Sequence, residues 1–174
     1  MPGIGLFFDT DTGNTRKIAK MIKKQFDEGQ IDLKNILKVE AGDFEEYNAF
    51  IIGTPTLGDG ELPENWESFL PQMDGVDLNG KTVALFGLGD QEEYGHEFVD
   101  AMGILYEKFE DLGASFIGAW PTEGYEFEVS RAVLEEGEFV GLVLDQDNQS
   151  GLTNERVEKW LAEIKPDILA AAGF

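Results

Sequence analysis

The stretch Ile4-Gly5-Leu6-Phe7-Phe8-Asp9-Thr10-Asp11-Thr12-Gly13-Asn14-Thr15-Arg16-Lys17-Ile18-Ala19-Lys20-Met21-Ile22 decides how the chain is read. It opens on a continuous apolar run, Ile4–Phe8, of the kind that forms a strand buried on both faces. It closes on helical spacing, because Ile18, Ile22 and Phe26 fall on one side of the segment Asn14–Glu28. A strand, a short polar loop and a helix make the first half of a βαβ unit.

The alternation continues to the end of the chain. Ala49–Gly53, Val83–Gly87, Ser115–Trp120 and Phe139–Leu144 are further apolar runs, and the more polar Leu33–Val39 reads as an edge strand. Glu97–Leu112 and Thr153–Ile164 carry helical apolar stripes, Glu64–Leu70 is a shorter helix, and Pro166 is expected to end or kink the last one. Such an order implies right-handed crossovers and an α/β fold with a doubly wound, five-stranded parallel sheet. Ligands bind such sheets outside the carboxyl ends of the strands. One irregularity interrupts the order. No helix separates Phe116–Trp120 from Phe139–Leu144, and the segment Trp120–Glu138 reads as an ordered loop or as one extra hairpin at a sheet edge. The length of 174 residues suits one domain spanning residues 1–174.

Composition narrows the function. Thirteen Lys+Arg stand against 35 Asp+Glu, a net charge of −22, so nucleic acid is excluded as a partner for want of cations to displace phosphate counterions. No cysteine is present, which removes iron–sulfur clusters, thiolate zinc sites and disulfides. An apolar share of 42% is enough to fill a core despite the acidity. No stretch approaches the roughly 20 apolar residues that span a bilayer, and Met1–Phe8 lacks a basic flank, so a cytoplasmic location and no membrane partner are expected.

Three loops at strand ends could carry chemistry. Thr10-Asp11-Thr12-Gly13-Asn14-Thr15 leads into a helix N-terminus, where backbone N–H groups and three hydroxyls can meet a phosphate; an ordinary helix cap is the plainer reading. It lacks the lysine and spacing of a Walker A loop and the glycines of the dinucleotide fingerprint. Asp9-x-Asp11-x-Gly13 fails as a calcium loop, because Lys20 stands where a bidentate Glu belongs. After the third strand, Gly53-Thr54-Pro55-Thr56-Leu57-Gly58-Asp59-Gly60-Glu61-Leu62-Pro63 can lay backbone against a planar ligand. A phosphoacceptor Asp is missing there, which argues against a response-regulator receiver of the same topology. After the fourth strand, Gly87-Leu88-Gly89-Asp90-Gln91-Glu92-Glu93-Tyr94-Gly95 offers Tyr94 as a stacking plate or as a cap on the core. His96, the single histidine, reads as a solvated residue near a helix start.

Together these three loops resemble, in order and position, the flavin-binding loops of the flavodoxin family. Asp145-Gln146-Asp147-Asn148-Gln149-Ser150 looks like the family's closing segment, and the insertion within the last strand is similar to that of long-chain flavodoxins. The resemblance covers essentially the whole chain and implies strand order 2-1-3-4-5, with the insertion splitting the last strand. It also implies a low-potential one-electron carrier using non-covalently bound FMN, cycling between semiquinone and hydroquinone. An FMN-dependent NAD(P)H:quinone reductase on the same sheet is the alternative, and a binding module that has lost its flavin is a third. By resemblance Thr10, Thr12, Asn14 and Thr15, with backbone of Asp11 and Gly13, hold the FMN phosphate. The ring and ribityl chain fall to Thr54, Pro55, Thr56, Leu57, Gly58 and Asp59 after one strand, and to Gly87, Leu88, Gly89, Asp90 and Tyr94 after the next. Asp147 accepts from a ribityl hydroxyl, Leu57 and Tyr94 flank the ring, and the Gly58–Asp59 peptide turns toward its N5. No catalytic residue and no metal are implied.

Two positions depart from the family pattern. Asp9 stands where the family usually has a small residue, a carboxylate unfavourable beside a phosphate unless it points away. Leu57 replaces a common Trp. The charge is also polarised. No Lys or Arg occurs from Val39 to Gly80 or from Thr82 to Glu107, whereas Arg16, Lys17, Lys20, Lys23 and Lys24 gather on the first helix. An acidic flavin edge implies basic-surfaced redox partners, a flavodoxin reductase as donor and a separate acceptor, met by a monomer through weak, transient contacts.

Overall fold

A computed structural model describes residues 3–135 and 137–174. The strand β1 (Ile4–Phe8) is buried along its whole length and pairs in parallel with β2 (Ile31–Asn35) on one side and β3 (Ala49–Pro55) on the other. Between them lie α1 (Asn14–Lys23) and the short α2 (Asp43–Glu46). After β3 come α3 (Glu64–Phe69) and β4 (Thr82–Leu88), then α4 (Asp100–Asp111). The strand order is β2-β1-β3-β4, and the position beyond β4 is filled twice. β5 (Ser115–Ile117) pairs with Thr82–Ala84, and β9 (Leu142–Leu144) pairs with Phe86–Leu88. Two half-strands thus do the work of one, split by the insertion.

Within the insertion, the expected loop or single hairpin is instead a three-stranded antiparallel sheet. It has the order β6 (Trp120–Pro121), β8 (Glu138–Phe139), β7 (Val133–Glu135). Its hydrophobic anchor is Phe139, fully buried and in edge contact with Phe98 and Tyr125. The short runs there were too irregular to show a period of two.

Other boundaries also move for visible reasons. The edge strand is Ile31–Asn35, not Leu33–Val39, because Asn35 caps a 3-10 turn over Ile36–Lys38 by accepting from Leu37 N at 3.0 Å. The first helix stops at Lys23 rather than Glu28, while Phe26 still packs inward. The fourth begins at Asp100 rather than Glu97, since Val99 adopts a left-handed φ of 49° that breaks the turn before it. The last helix, α5 (Thr153–Ala171), passes through Pro166. Its buried stripe of Val157, Trp160, Leu161, Ile164 and Ile168 holds it against the sheet across the missing hydrogen bond. The two fully buried indoles are tied to carbonyls near strand ends: Trp66 Nε1 donates to Gly53 O at 3.2 Å and Trp160 Nε1 to Gly118 O at 2.9 Å. These contacts fix the carboxyl ends of the strands, where the functional loops start.

Candidate functional site

At the carboxyl edge of β1, β3 and β4 lies an open cleft of about 380 Å³, lined by Asp11, Thr12, Asn14, Thr15, Pro55, Thr56, Leu57, Gly58, Leu88, Gly89, Asp90, Glu93, Tyr94, Gln146 and Asp147. One end is the loop before α1. That helix has no side-chain cap, since its N-cap is Gly13 in a left-handed conformation at φ 92°. The N–H groups of its first turn therefore face outward without a partner in their own helix. The loop is braced from within, with Gly13 N donating to Thr10 Oγ1 at 2.9 Å and Thr10 N donating to Asp9 Oδ1 at 2.8 Å. Thr15 is 1% exposed, and its hydroxyl has no hydrogen-bond partner. Buried hydroxyls are nearly always paired, so this one is open to a partner from outside the chain. Free first-turn amides with an unpartnered hydroxyl beside them suit a phosphate.

The other end is made by loops from distant parts of the chain. After β3, Leu57 and Glu61 exchange both backbone hydrogen bonds, at 2.9 and 2.8 Å, and close a tight turn. Gly60 within it has φ 85°, and a Cβ there would lie 2.8 Å from Asp100 Oδ2, so only glycine fits. Gly58 is solvent-exposed with φ 41°. Leu57 and Tyr94 are both half-buried and both face the cleft. Asp90 Oδ1 accepts from Glu92 N, Glu93 N and Asn148 Nδ2 at 2.8–3.1 Å, so this oxygen shapes its own loop.

A buried carboxylate holds this end together. Asp145, fully buried, accepts from Gln91 N at 3.1 Å and Gln91 Nε2 at 2.7 Å with one oxygen, and from Asp147 N at 3.1 Å and Asn148 N at 3.0 Å with the other. Gln91 Oε1 in turn accepts from Glu126 N at 2.6 Å, and Gly95 O accepts from Glu128 N at 2.7 Å, so the insertion also braces the Tyr94 loop. Two carboxyls here lie above the ordinary range. Asp147 faces solvent over much of its surface, yet its partly desolvated side and the neighbouring Asp90 and Asp145 raise its pKa. Burial raises Asp100, with Arg131 pulling the other way.

Most of the expected site residues meet in the cleft, and several do not. Thr54 is fully buried, with its hydroxyl donated to Pro55 O at 2.8 Å. Gly87 lies under the cleft in β4, where a Cβ would meet Met102 at 3.0 Å. Asp59 is exposed outside the lining, and Thr10 and Gly13 act as the loop's internal brace. Thr56 lines the cleft, although its Oγ1 accepts from Ala101 N at 3.3 Å. Glu93 and Gln146 line it unforeseen, and the Asp145 hub was missed because Gln91, the partner that ties it to another loop, is remote in sequence. His96 stays exposed, 3.2 Å from Glu128, as its solvated reading anticipated. Asp9 is 1% exposed and absent from the lining; its Oδ1 also accepts from Asn65 Nδ2 of α3 at 3.2 Å.

The family profile described as flavodoxin matches residues 6–160. The chain belongs to the flavodoxin family. It is 50% identical to a flavodoxin of Synechocystis sp. over 167 residues, covering 95% of this chain and 98% of that one. A flavodoxin of Klebsiella pneumoniae is 51% identical over 177 residues, covering 97% and 100%. Among solved structures, Fusobacterium nucleatum flavodoxin bound to flavin mononucleotide superposes with a TM-score of 0.89 at 32% identity, covering 96% of this chain and 99% of that one. Flavodoxins are electron-transfer proteins rather than enzymes, so the quinone-reductase alternative is not favoured. Among the described residues of this family member, no helix is long and apolar enough to cross a membrane.

Proposed function

We propose that this chain is a small one-electron carrier that holds FMN in the cleft, its phosphate on Thr12, Asn14, Thr15 and the first-turn amides of α1, its ring between Leu57 and Tyr94. The observation that carries this reading is the unpartnered buried hydroxyl of Thr15 beside an uncapped helix, in the same cleft as Leu57 and Tyr94. FMN supplies a ring that takes up and releases electrons singly. The chain does the rest. Neutral donors bind the phosphate, and the turn closed by Leu57 and Glu61 presents the exposed peptide after Gly58 to the ring edge, with a backbone free to rotate. Asp147 is placed at the cleft to accept from the ribityl chain.

Electrostatics sets the direction of tuning. The lining carries Asp11, Asp90, Glu93 and Asp147 and no Lys or Arg, so negative charge added to the ring is disfavoured and the loaded protein is a strong reductant. Raising ionic strength screens those carboxylates and makes the potential for the second electron less negative. The same carboxylates steer basic-surfaced partners, a reductase as donor and a separate acceptor, onto the exposed edge for brief encounters. One monomeric domain in the cytoplasm serves this role, its core a continuous apolar cluster from Ile4 to Ala172.

Adding FMN to the flavin-free protein tests the reading. A yellow complex with one FMN per chain, reducible in two separate one-electron steps without air, is the expected result. A colourless protein that ignores added FMN overturns it.

A further inference from the structure

We infer that Asp9 is an anion built in beneath the phosphate loop, which lowers the site's preference for a phosphorylated flavin over riboflavin. The inference rests on the FMN reading and assigns to Asp9 a role in ligand selection. Asp9 directly follows β1 and is 1% exposed. Its Oδ1 takes the N–H of Thr10, the first donor of the loop, at 2.8 Å, so that amide is spent on an internal carboxylate. The brace continues through Thr10 Oγ1, which accepts from Gly13 N at 2.9 Å, and a second loop amide is thereby withdrawn. The other support is a neutral amide, Asn65 Nδ2 at 3.2 Å.

The second oxygen makes the case. Asp9 Oδ2 is buried with no hydrogen-bond partner, and among the described residues no cation pairs with this carboxylate. Oδ1 takes both donors, and a charge on this carboxylate acts over several ångströms because little water intervenes to screen it. The field of the α1 N-terminus, which would otherwise serve an incoming anion alone, is shared with Asp9. Asp11 adds a further carboxylate on the lining itself. Unlike Asp11, Asp9 repels without occupying the cleft, so it acts on the ligand's charge and not on its shape. A dianionic phosphate feels that repulsion, and a flavin without phosphate does not.

The test compares FMN and riboflavin on the flavin-free protein, reading dissociation constants from quenching of flavin fluorescence. Asp9→Asn keeps an oxygen for Thr10 N and removes the charge; Asp9→Gly removes both. Both variants are expected to bind FMN about tenfold more tightly than the parent while riboflavin binding stays within about twofold. If Asp9→Gly does not fold, Asp9→Asn carries the test alone. FMN and riboflavin affinities that shift together mean that Asp9 acts through loop structure, and unchanged affinities mean that its charge is not felt; either result overturns the inference while leaving the FMN reading intact. A parent protein that binds neither flavin overturns the FMN reading itself, and this inference with it.

Discussion

The end of the cleft proposed for the phosphate is made by one unbroken stretch, Thr10 to Thr15, whereas the end proposed for the ring draws on loops after β3, β4 and β9 that meet only in the folded chain. The first end needs little beyond a strand, a glycine and an uncapped helix; the second depends on Asp145 to bind Gln91, Asp147 and Asn148 into one frame. Their charge differs as well. Exposed Arg16, Lys17, Lys20, Lys23 and Lys24 extend along the helix that begins at the phosphate end, and among the described residues none of them pairs with a carboxylate. The ring end has carboxylates and no cation. A ligand with a phosphate at one end and a reducible ring at the other reads both halves at once. The contrast teaches that local sequence suffices to hold a charge, whereas placing a ring requires tertiary scaffolding.

Breaking the frame gives the largest effect. Asp145→Ala strands several donors inside the protein and is expected to cost about 3 kcal/mol of stability, measured by urea unfolding of the flavin-free form. It weakens FMN and riboflavin alike, because it loosens the ring end; a loss confined to FMN would break the proposed division between the two ends. Thr15→Val makes the opposite cut. FMN binding falls about tenfold with riboflavin little changed, since only the phosphate loses a donor; equal losses for both flavins would place Thr15 in the frame instead. Tyr94→Ala removes a stacking face worth about 0.5–1.5 kcal/mol beyond area burial, and titration with either flavin should register a similar drop.

The smallest effect concerns pH. The folded-state pKa of Asp100 is raised, chiefly by burial, so its ionised form destabilises the fold. That cost appears as pH rises from the ordinary Asp value of about 3.9 toward the higher folded value, and stays constant above it. Asp100→Asn, which can still accept from Arg131 N, therefore melts above the parent at neutral pH, and the advantage vanishes in acid. A melting difference that does not change with pH would mean that the carboxyl's charge is not the cause.

Sequence periodicity alone located the central strands, because strands buried on both faces must be continuously apolar, as in Ile4–Phe8 and Val83–Gly87. It also located the polar loop proposed to hold the phosphate, whose donors are neighbours in the chain. Periodicity could not mark where helices end: a left-handed Val99 and a tolerated Pro166 are decided by what packs around them. Nor could it tell that Thr54 turns inward or that Asp145 joins its own loop to the one after β4, since no local pattern distinguishes a carboxylate that binds ligand from one that binds backbone.

The net charge of −22, the absence of cysteine, the alternation of strands and helices and the polar loop before α1 were determined by the sequence by itself, because each is a property of composition or of adjacent residues. Only the tertiary structure decided the fate of Asp9, which the chain order places beside the proposed phosphate loop and the fold buries outside the cleft lining, held by Asn65 from a helix far along the chain. The same holds for the insertion, whose meaning lies in its hydrogen bonds to the Tyr94 loop. Buried polar contacts join residues by distance in space, and distance in space is what folding creates.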